Sequence, residues 1–256
     1  FTISLGSQCF LNEYVYYITQ EEKDILNEVK KTLTNKKNLE YKIALISCYQ
    51  PLYLVKEVLI NLKKYRSTNN NFNELIKLQL KEKLLEIEIQ SEINKVGEIS
   101  NKVSKEVQDQ YEMNPYPRWR YNSYTNENKL NIESIINSEI SPNKIKSSQI
   151  QITDKKTNIL IAGCGTGIQI IEASRYNNCE ITAIDLSTSS IAYAKRKTEE
   201  YGIKNVNFIQ MDLLELNQLN KKFNLIECSG VLHHMEEPLA GLFNLVDSLE
   251  KKGFLN

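Results

Sequence analysis

A glycine-rich segment carries the clearest chemistry in the sequence. Residues 158–167 read Asn-Ile-Leu-Ile-Ala-Gly-Cys-Gly-Thr-Gly, which predicts an apolar strand that runs into a loop and then a helix. Because glycine has no Cβ, Gly163 and Gly165 allow a sharp turn and a close approach to a ligand, and Gly167 lets the helix begin near the strand. We interpret Cys164 as a small loop residue. The pattern predicts a ligand site at the carboxyl end of this strand.

A carboxylate follows the next predicted strand, residues 180–184. Asp185 lies 20 positions beyond Gly165, where a carboxylate can accept hydrogen bonds from both hydroxyls of a ribose. The alternative is that Asp185 only caps a helix, but Ser187 and Thr188 are available for that role. We therefore expect Asp185 to bind a ribose.

The glycine spacing resembles the first motif of class I methyltransferases, which use S-adenosylmethionine. A dinucleotide-binding loop would place its third glycine at the position of Ile168, whereas the order here is G-x-G-x-G. The resemblance extends to the strand before Asp212 and to the segment 223–235. In this family's pattern Asp212 accepts the adenine amino group and Leu213 flanks the ring. The resemblance implies these cofactor contacts: Gly163, Cys164, Gly165, Gly167, Asp185, Leu186, Asp212, Leu213 and Ser229.

A second motif precedes this region. Residues 103–119 end in Gln-Tyr-Glu-Met-Asn-Pro-Tyr-Pro-Arg-Trp, which resembles a segment of one bacterial group of methyltransferases, with Met113 as the departure. Residues 8–14 and 48–52 also resemble that group's helical region. The group includes rickettsial outer-membrane-protein lysine methyltransferases. The resemblance implies a protein substrate, such as an outer-membrane protein before its export.

Four residues are candidates for the catalytic part of the site. The rings of Tyr116 and Trp119 can hold a cation, either the sulfonium or a lysine ammonium, although both can instead fasten the helical part to the sheet. Glu227, Ser229 and Tyr116 are polar groups that could line an acceptor pocket. Arg118 could pair with the cofactor carboxylate or with an acidic protein group.

The reaction itself requires little covalent chemistry from the protein. Methyl transfer is an in-line displacement at carbon, for which positioning and electrostatics carry most of the catalysis. Supplying a neutral lysine amine at pH 7 costs about 4–5 kcal/mol, which a partly desolvated pocket would reduce. His233 and His234 could act as acid or base, but adjacent residues at a helix start are more often packing and capping partners.

The elements that must position these residues fall into three parts. Residues 1–113 predict a helical region with breaks at 35–38, at 67–73 and near Gly97, and we expect it to recognise a substrate or to form a homodimer. Residues 114–156, which begin with Asn-Pro-Tyr-Pro and include Pro142 in a polar stretch, predict a linker. Residues 157–256 alternate strands and helices, which predicts an α/β Rossmann-like, doubly wound parallel sheet.

The sheet is expected to be incomplete. The chain ends at residue 256, where a fifth strand would just begin, so we expect a domain that stops after its fourth strand and helix. The fourth strand would then have an unpaired edge.

Composition limits the function classes. The 32 basic and 32 acidic side chains give no net charge, which disfavours nucleic acid and anionic membranes as partners. Five scattered cysteines predict neither disulfides nor a metal site, and no apolar run approaches the length of a membrane span. We therefore expect a cytoplasmic protein.

The leading interpretation is an S-adenosylmethionine-dependent transfer of methyl groups to lysine side chains of a protein. One alternative is a methyltransferase that acts on a small molecule such as a quinone or metabolite. Another is a cofactor-binding or dimerising fragment without activity.

Overall fold

The chain divides into two compact units. The computed structural model describes residues 1–62, 65–123, 129, 131–144 and 156–256, so part of the predicted linker lies outside the described residues. The first unit is Phe1–Glu88 and the second is Ile89–Asn256. Residues 89–113, which helical periodicity groups with the N-terminal region, thus belong to the unit that contains the sheet.

The N-terminal unit is helical, as the sequence predicts. Its helices are α1 (Thr2–Leu11), α2 (Gln20–Lys31), α3 (Leu39–Ile46), α4 (Lys56–Leu62), α5 (Asn70–Ile76) and α6 (Glu82–Gln90), with a π-helical turn at Lys77–Lys81 between the last two. The expected break at 35–38 is confirmed, and the one expected at 67–73 is confirmed only in its first part, because α5 begins at Asn70. Helix α2 begins with a capping box, in which Thr19 and Glu22 bond to each other's backbone N–H groups at 3.2 and 2.8 Å.

The core of this unit is mainly apolar, and it includes the buried amide of Gln79. The largest side chains that lose all solvent contact include Phe72, Leu33 and Ile43. Gln79 is also fully buried. Its Nε2 donates to the carbonyls of Gly6 and Ser47, and its Oε1 accepts from Leu52 N–H and Tyr14 Oη. Because its polar atoms are paired, this amide is accommodated in the core.

The apolar stripe from residue 75 to residue 107 is not one helix. The break expected near Gly97 is confirmed, since α6 ends at Gln90 and Gly97 has a φ of +73°. A short strand, β1 (Asn94–Lys95), follows α6, and helix α7 (Lys102–Met113) begins after Asn101, whose side chain accepts the Ser104 N–H. The sequence pattern did not indicate this strand, because two residues are too few for alternation.

The second unit contains a parallel sheet, which confirms the Rossmann-like α/β fold. Within the described residues the sheet has six strands in the order β1-β4-β3-β2-β5-β6. The further strands are β2 (Thr157–Ala162), β3 (Cys179–Asp185), β4 (Val206–Gln210), β5 (Phe223–Glu227) and β6 (Leu249–Leu255). The further helices are α8 (Ile132–Glu139), α9 (Ile168–Ala173), α10 (Thr188–Glu200) and α11 (Pro238–Asp247).

The strand order reverses beside β2, and this reversal defines where a ligand binds. From β2 the chain moves to β3 and β4 on one side, and then to β5 and β6 on the other. Such a switch point opens a crevice at the carboxyl ends of the strands. Alternate residues of β2 enter different cores: Ile159 and Ile161 join one apolar cluster, and Leu160 and Ala162 join the other.

The expectation of an unpaired edge at β5 is wrong. Strand β6 pairs with β5 in parallel, with Phe223 opposite Leu249 and Leu225 opposite Phe254. Leu249, Phe254 and Leu255 supply enough apolar surface for the last residues to add a strand, which the sequence interpretation took only as the beginning of one. Across the described part of the chain, no helix combines the length and apolarity needed to cross a bilayer.

Candidate cofactor and acceptor site

A cavity of about 510 Å³ lies at the carboxyl ends of β2 to β5. One side is formed by the loops after these strands, and the other by α7 and the residues that follow it. The volume is typical of small-molecule sites. The structure places nine sequence-predicted cofactor residues around it: Gly163, Cys164, Gly165, Gly167, Asp185, Leu186, Asp212, Leu213 and Ser229.

Each of the three positions in the first loop requires glycine for a different physical reason. A Cβ on Gly163 would overlap the side chain of Val231, so glycine is needed there for packing. Gly167 has a φ of +91°, and a Cβ there would lie 2.8 Å from the Cβ of Ala194. Gly165 has no other heavy atom within 4 Å of an added Cβ, so its open face belongs to the cavity and leaves room for a ligand.

Asp185 connects two of the loops. One carboxylate oxygen accepts the Gly165 N–H at 2.8 Å, and the other accepts the Ser187 N–H at 2.9 Å. An ionised carboxylate offers about four acceptor positions, so two remain for ligand hydroxyls. Burial raises the pKa of Asp185, although the N–H groups of Ser187, Gly165 and Leu186 oppose that shift. Hydroxyl donors from a ribose would further stabilise the ionised form.

Asp212 occupies the corresponding place after β4. It is buried, and its Oδ1 accepts the Leu214 N–H at 3.0 Å, which caps the 3₁₀ helix Leu213–Leu219. Leu186 is held nearby because its carbonyl accepts from Gln210 Nε2 at 2.8 Å. Asp212 and Leu213 thus present one carboxylate and one apolar side chain to the cavity, as a purine with an exocyclic amine requires.

These residues fit S-adenosylmethionine. Gly165 leaves a space that any Cβ would fill, Asp185 can receive the ribose, and Asp212 with Leu213 can receive the adenine. When bound, this cofactor supplies an electrophilic methyl group on a sulfonium.

The opposite wall comes largely from α7. Ser104, Val107 and Tyr111 of this helix line the cavity together with Tyr116 and Pro117. Of these, only Tyr116 was predicted as a site residue. Val107 was assigned with its apolar stripe to a bundle core, and the sequence held no pattern that indicated a cavity role for Ser104, Tyr111 or Pro117.

Trp119 does not line the cavity. Its Nε1 donates to the Thr166 carbonyl at 3.0 Å, and its own carbonyl accepts from Tyr193 Oη. The Lys197 ammonium lies 4.7 Å from the centre of a Trp119 ring, and Thr166 Oγ1 donates to the Pro117 carbonyl at 2.8 Å. The indole therefore fastens the linker to the glycine loop and to α10, which is the second of the two roles considered from the sequence.

Glu227 also lies outside the cavity lining. It accepts a hydrogen bond from Tyr176 Oη at 2.9 Å, and burial followed by the charges of Glu139 and Glu172 raises its pKa. The acceptor role of Glu227 stays a prediction from the sequence, because its carboxylate is bonded to Tyr176 and does not line this cavity. Ser229, two residues later, does line it.

Two carboxylates near the site, Glu172 and Glu112, were not predicted from the sequence, and His234 was considered there only as an acid or base. Glu172 and His234 line the cavity, and the His234 ring lies 6.3 Å from the Tyr111 ring in an edge-on arrangement. Glu112 lies beside the cavity and accepts four hydrogen bonds from residues 187–189. The N–H and hydroxyl groups of Ser187-Thr188-Ser189 at a helix start require hydrogen-bond acceptors. The sequence does not indicate which carboxylate supplies them.

The fold is a doubly wound parallel sheet, and its site is a crevice of the kind that binds nucleotides. Comparison with known sequences identifies the family of this domain. Residues 159–253 match the family model described as a methyltransferase domain. This part of the chain forms a class I methyltransferase domain, and its cofactor is S-adenosylmethionine.

Relatives share this region. An uncharacterized protein of Synechococcus sp. is 39% identical over 103 residues, which cover 40% of this chain and 25% of that protein. A ubiquinone biosynthesis O-methyltransferase of Coxiella burnetii is 30% identical over 116 residues, which cover 45% of this chain and 49% of that enzyme. The chain thus spans half or less of the length of these relatives.

A solved structure is also similar in part. PKMT2 from Rickettsia typhi, in complex with AdoHcy, is 27% identical over 39% of this chain and 20% of that chain, with a TM-score of 0.37.

Proposed function

We propose that this protein transfers the methyl group of S-adenosylmethionine to the side-chain amine of lysine in a protein substrate. The observation that carries the proposal is the chemistry of the cavity lining. Its charged side chains in the described residues are the carboxylates of Glu172, Asp185 and Asp212, and it includes the phenol rings of Tyr111 and Tyr116. Carboxylates and aromatic faces favour cationic ligands.

This lining suits both partners in the reaction. The sulfonium is a cation, and a lysine arrives as an ammonium that must lose its proton before attack. A carboxylate such as Glu172 attracts the ammonium but raises its pKa, whereas the apolar residues Val107 and Met235 desolvate the amine and lower its pKa, so the proton can leave to solvent before attack. The phenol of Tyr116 is 66% exposed, so a side chain from another protein can reach it.

The motif around Tyr116 supports the class of acceptor. Residues 111–119 resemble the segment that precedes the methyltransferase domain in the bacterial group with lysine methyltransferases of outer-membrane proteins. On that basis the substrate is a protein such as an outer-membrane protein before export, and methylation takes place in the cytoplasm. We assign the unit Phe1–Glu88 to substrate recognition or homodimer formation.

The test uses the full chain and S-adenosylmethionine labelled on its methyl group. The chain is incubated with a pool of candidate protein substrates and, separately, with a pool of small molecules. We expect the label in the protein pool, on lysine side chains that mass spectrometry identifies. The Asp185→Ala variant is the matched control and should transfer far less label. Label found only in small molecules contradicts the lysine proposal.

A second candidate is methyl transfer to a phenolic small molecule. It is favoured by the relative from Coxiella burnetii, whose name places it in ubiquinone biosynthesis, and by the apolar residues Val107, Pro117, Ile168 and Met235 in the lining. Incubation with quinol or phenol pools separates the two candidates. Cofactor binding without labelled product from either pool indicates a binding module without activity.

A further inference from the structure

The carboxylate of Glu112 holds the start of helix α10. Its Oε1 accepts from the Thr188 N–H at 3.1 Å and from Thr188 Oγ1 at 2.5 Å. Its Oε2 accepts from the Ser189 N–H at 2.6 Å and from Ser187 Oγ at 3.0 Å. Four donors on one side chain are close to the full accepting capacity of a carboxylate.

The first turn of α10 depends on this distant residue. The Ser190 N–H is satisfied by Ser187 Oγ at 3.1 Å, and the Ile191 N–H by the Ser187 carbonyl at 3.0 Å. The N–H groups of Thr188 and Ser189 have no acceptor within the helix, as is general at helix starts. Glu112, which lies 76 and 77 residues earlier, supplies both.

The same contact reaches the cofactor loops through a chain of hydrogen bonds. Glu112 holds Ser187, the Ser187 N–H donates to Asp185, and Asp185 also accepts the Gly165 N–H. The orientation of the predicted ribose carboxylate is therefore tied to the position of Glu112.

Glu112 also fixes the opposite wall. It belongs to α7, whose Ser104, Val107 and Tyr111 line the cavity. Another polar contact of this region joins Asn101 Nδ2 to Glu236 at 3.0 Å, but it is exposed to solvent and contributes little.

We propose that Glu112 is a positioning residue that sets, through one carboxylate, both the orientation of Asp185 and the place of the α7 wall. Cofactor affinity and acceptor affinity are then coupled through it. Burial alone raises the pKa of Glu112, but hydrogen bonds from Thr188, Ser189 and Ser187 outweigh burial and lower it, so the group is ionised at neutral pH. A negative charge at the start of α10 is also favoured by the helix dipole.

The test compares Glu112→Gln with Glu106→Gln in the full chain. Gln has nearly the same volume as Glu, but one of its two terminal groups is an NH₂ that donates hydrogen bonds. This NH₂ would face the N–H and O–H donors of residues 187–189, so those hydrogen bonds would be lost. Glu106 lies on the same helix in an exposed pair with Lys102 at 3.8 Å, so its variant controls for the loss of a carboxylate from α7. Thr188→Val is a milder variant, because it removes one donor to Glu112 and leaves the other three. It also removes an acceptor of Gln90 Nε2, which keeps its shorter bond to Ser189 Oγ at 2.6 Å.

The readouts are the Kd of S-adenosylhomocysteine by calorimetry, the acceptor KM and kcat, and the Tm. For Glu112→Gln we expect the Kd to rise about 5- to 30-fold, as for a weakened hydrogen bond to a charged group. Thr188→Val should show a smaller rise in the same direction, and Glu106→Gln none. The binding measurements are made well below the Tm of each variant, so that all are folded.

The outcomes separate positioning from helix capping. If the Tm falls while Kd and KM stay at their original values, Glu112 only stabilises α10 and the inference is overturned. The acceptor KM depends on the proposed function, whereas the Kd of S-adenosylhomocysteine does not. A change in Kd with no acceptor found therefore upholds the role of Glu112 while the proposed substrate fails. If Glu112→Gln does not fold, an unchanged Kd in Thr188→Val overturns the inference.

Discussion

The two walls of the cavity are built in different ways. The sheet wall consists of residues that directly follow strands: Gly163 after β2, Asp185 at the end of β3 and Asp212 after β4. The wall formed by α7 and the linker is held by contacts that span long stretches of chain, such as Trp119 to Thr166 over 47 residues and Glu112 to Ser189 over 77. Local sequence thus specifies the cofactor side of the cavity, and long-range contacts specify the wall opposite the cofactor.

The difference has an energetic consequence. On the sheet wall Gly165, Asp185 and Asp212 line the cavity, so changes at these positions are expected to act first on binding. On the opposite wall the fastening residues Trp119 and Glu112 lie beside the cavity and act through their neighbours. Variants of the two walls should therefore differ in which quantity they change.

The largest effect is expected at the ribose carboxylate. Asp185→Ala should weaken S-adenosylmethionine binding by about 1–3 kcal/mol, because ligand hydroxyls and the Gly165 and Ser187 N–H groups lose a charged acceptor. Calorimetry measures this, with the exposed Asp247→Ala as control. An unchanged Kd for Asp185→Ala would show that the ribose is not bound there.

A matched pair of glycine variants sharpens the comparison within the sheet wall. Gly167→Ala should lower the free energy of unfolding by about 1–3 kcal/mol, since its φ of +91° and its approach to Ala194 both oppose a Cβ. Gly165→Ala also meets a positive φ, +49°, but its methyl group enters open space, so it should cost less stability than Gly167→Ala and weaken cofactor binding more. Denaturant unfolding and calorimetry on both variants check this, and equal stability losses would contradict it.

Two aromatic variants compare fastening with lining on the opposite wall. Trp119→Ala should cost about 2 kcal/mol of stability, as expected for a half-buried aromatic, with kcat largely retained in the folded protein. Tyr116→Ala should leave the Tm nearly unchanged, because the ring is 66% exposed, and should raise the acceptor KM. The idea fails if Trp119→Ala loses turnover without losing stability.

The smallest effect is expected at Glu227. Because burial raises the pKa of this acid, its ionised form opposes folding at pH values above the raised pKa. Glu227→Gln can still accept from Tyr176, and it should raise the Tm by about 1–3 °C at pH 7. The gain should shrink as the pH falls toward the carboxyl's ordinary pKa, 4.5. Thermal unfolding at several pH values measures this, and a loss of turnover would return Glu227 to the site.

Prediction from the sequence was most successful where function follows local pattern. Apolar runs that end in glycine or aspartate identified the strands and the loops after them, because a parallel sheet brings the carboxyl ends of neighbouring strands to one edge. The failures have local causes as well. Strand β1 is too short to show alternation, and no local pattern indicates that the Glu227 carboxylate pairs with Tyr176.

The sequence by itself predicted the α/β class of the domain and a ligand site at the strand ends, since these depend on the backbone freedom of glycine and on carboxylates there, and the motif resemblance indicated the cofactor. Only the tertiary structure decided that α7 forms the opposite wall, that Trp119 fastens rather than lines, and that Glu112 completes the start of α10. The physical reason is that a helix start requires acceptors but does not specify their source. Hydrogen-bond partners 76 residues apart are chosen by packing, which no local pattern encodes.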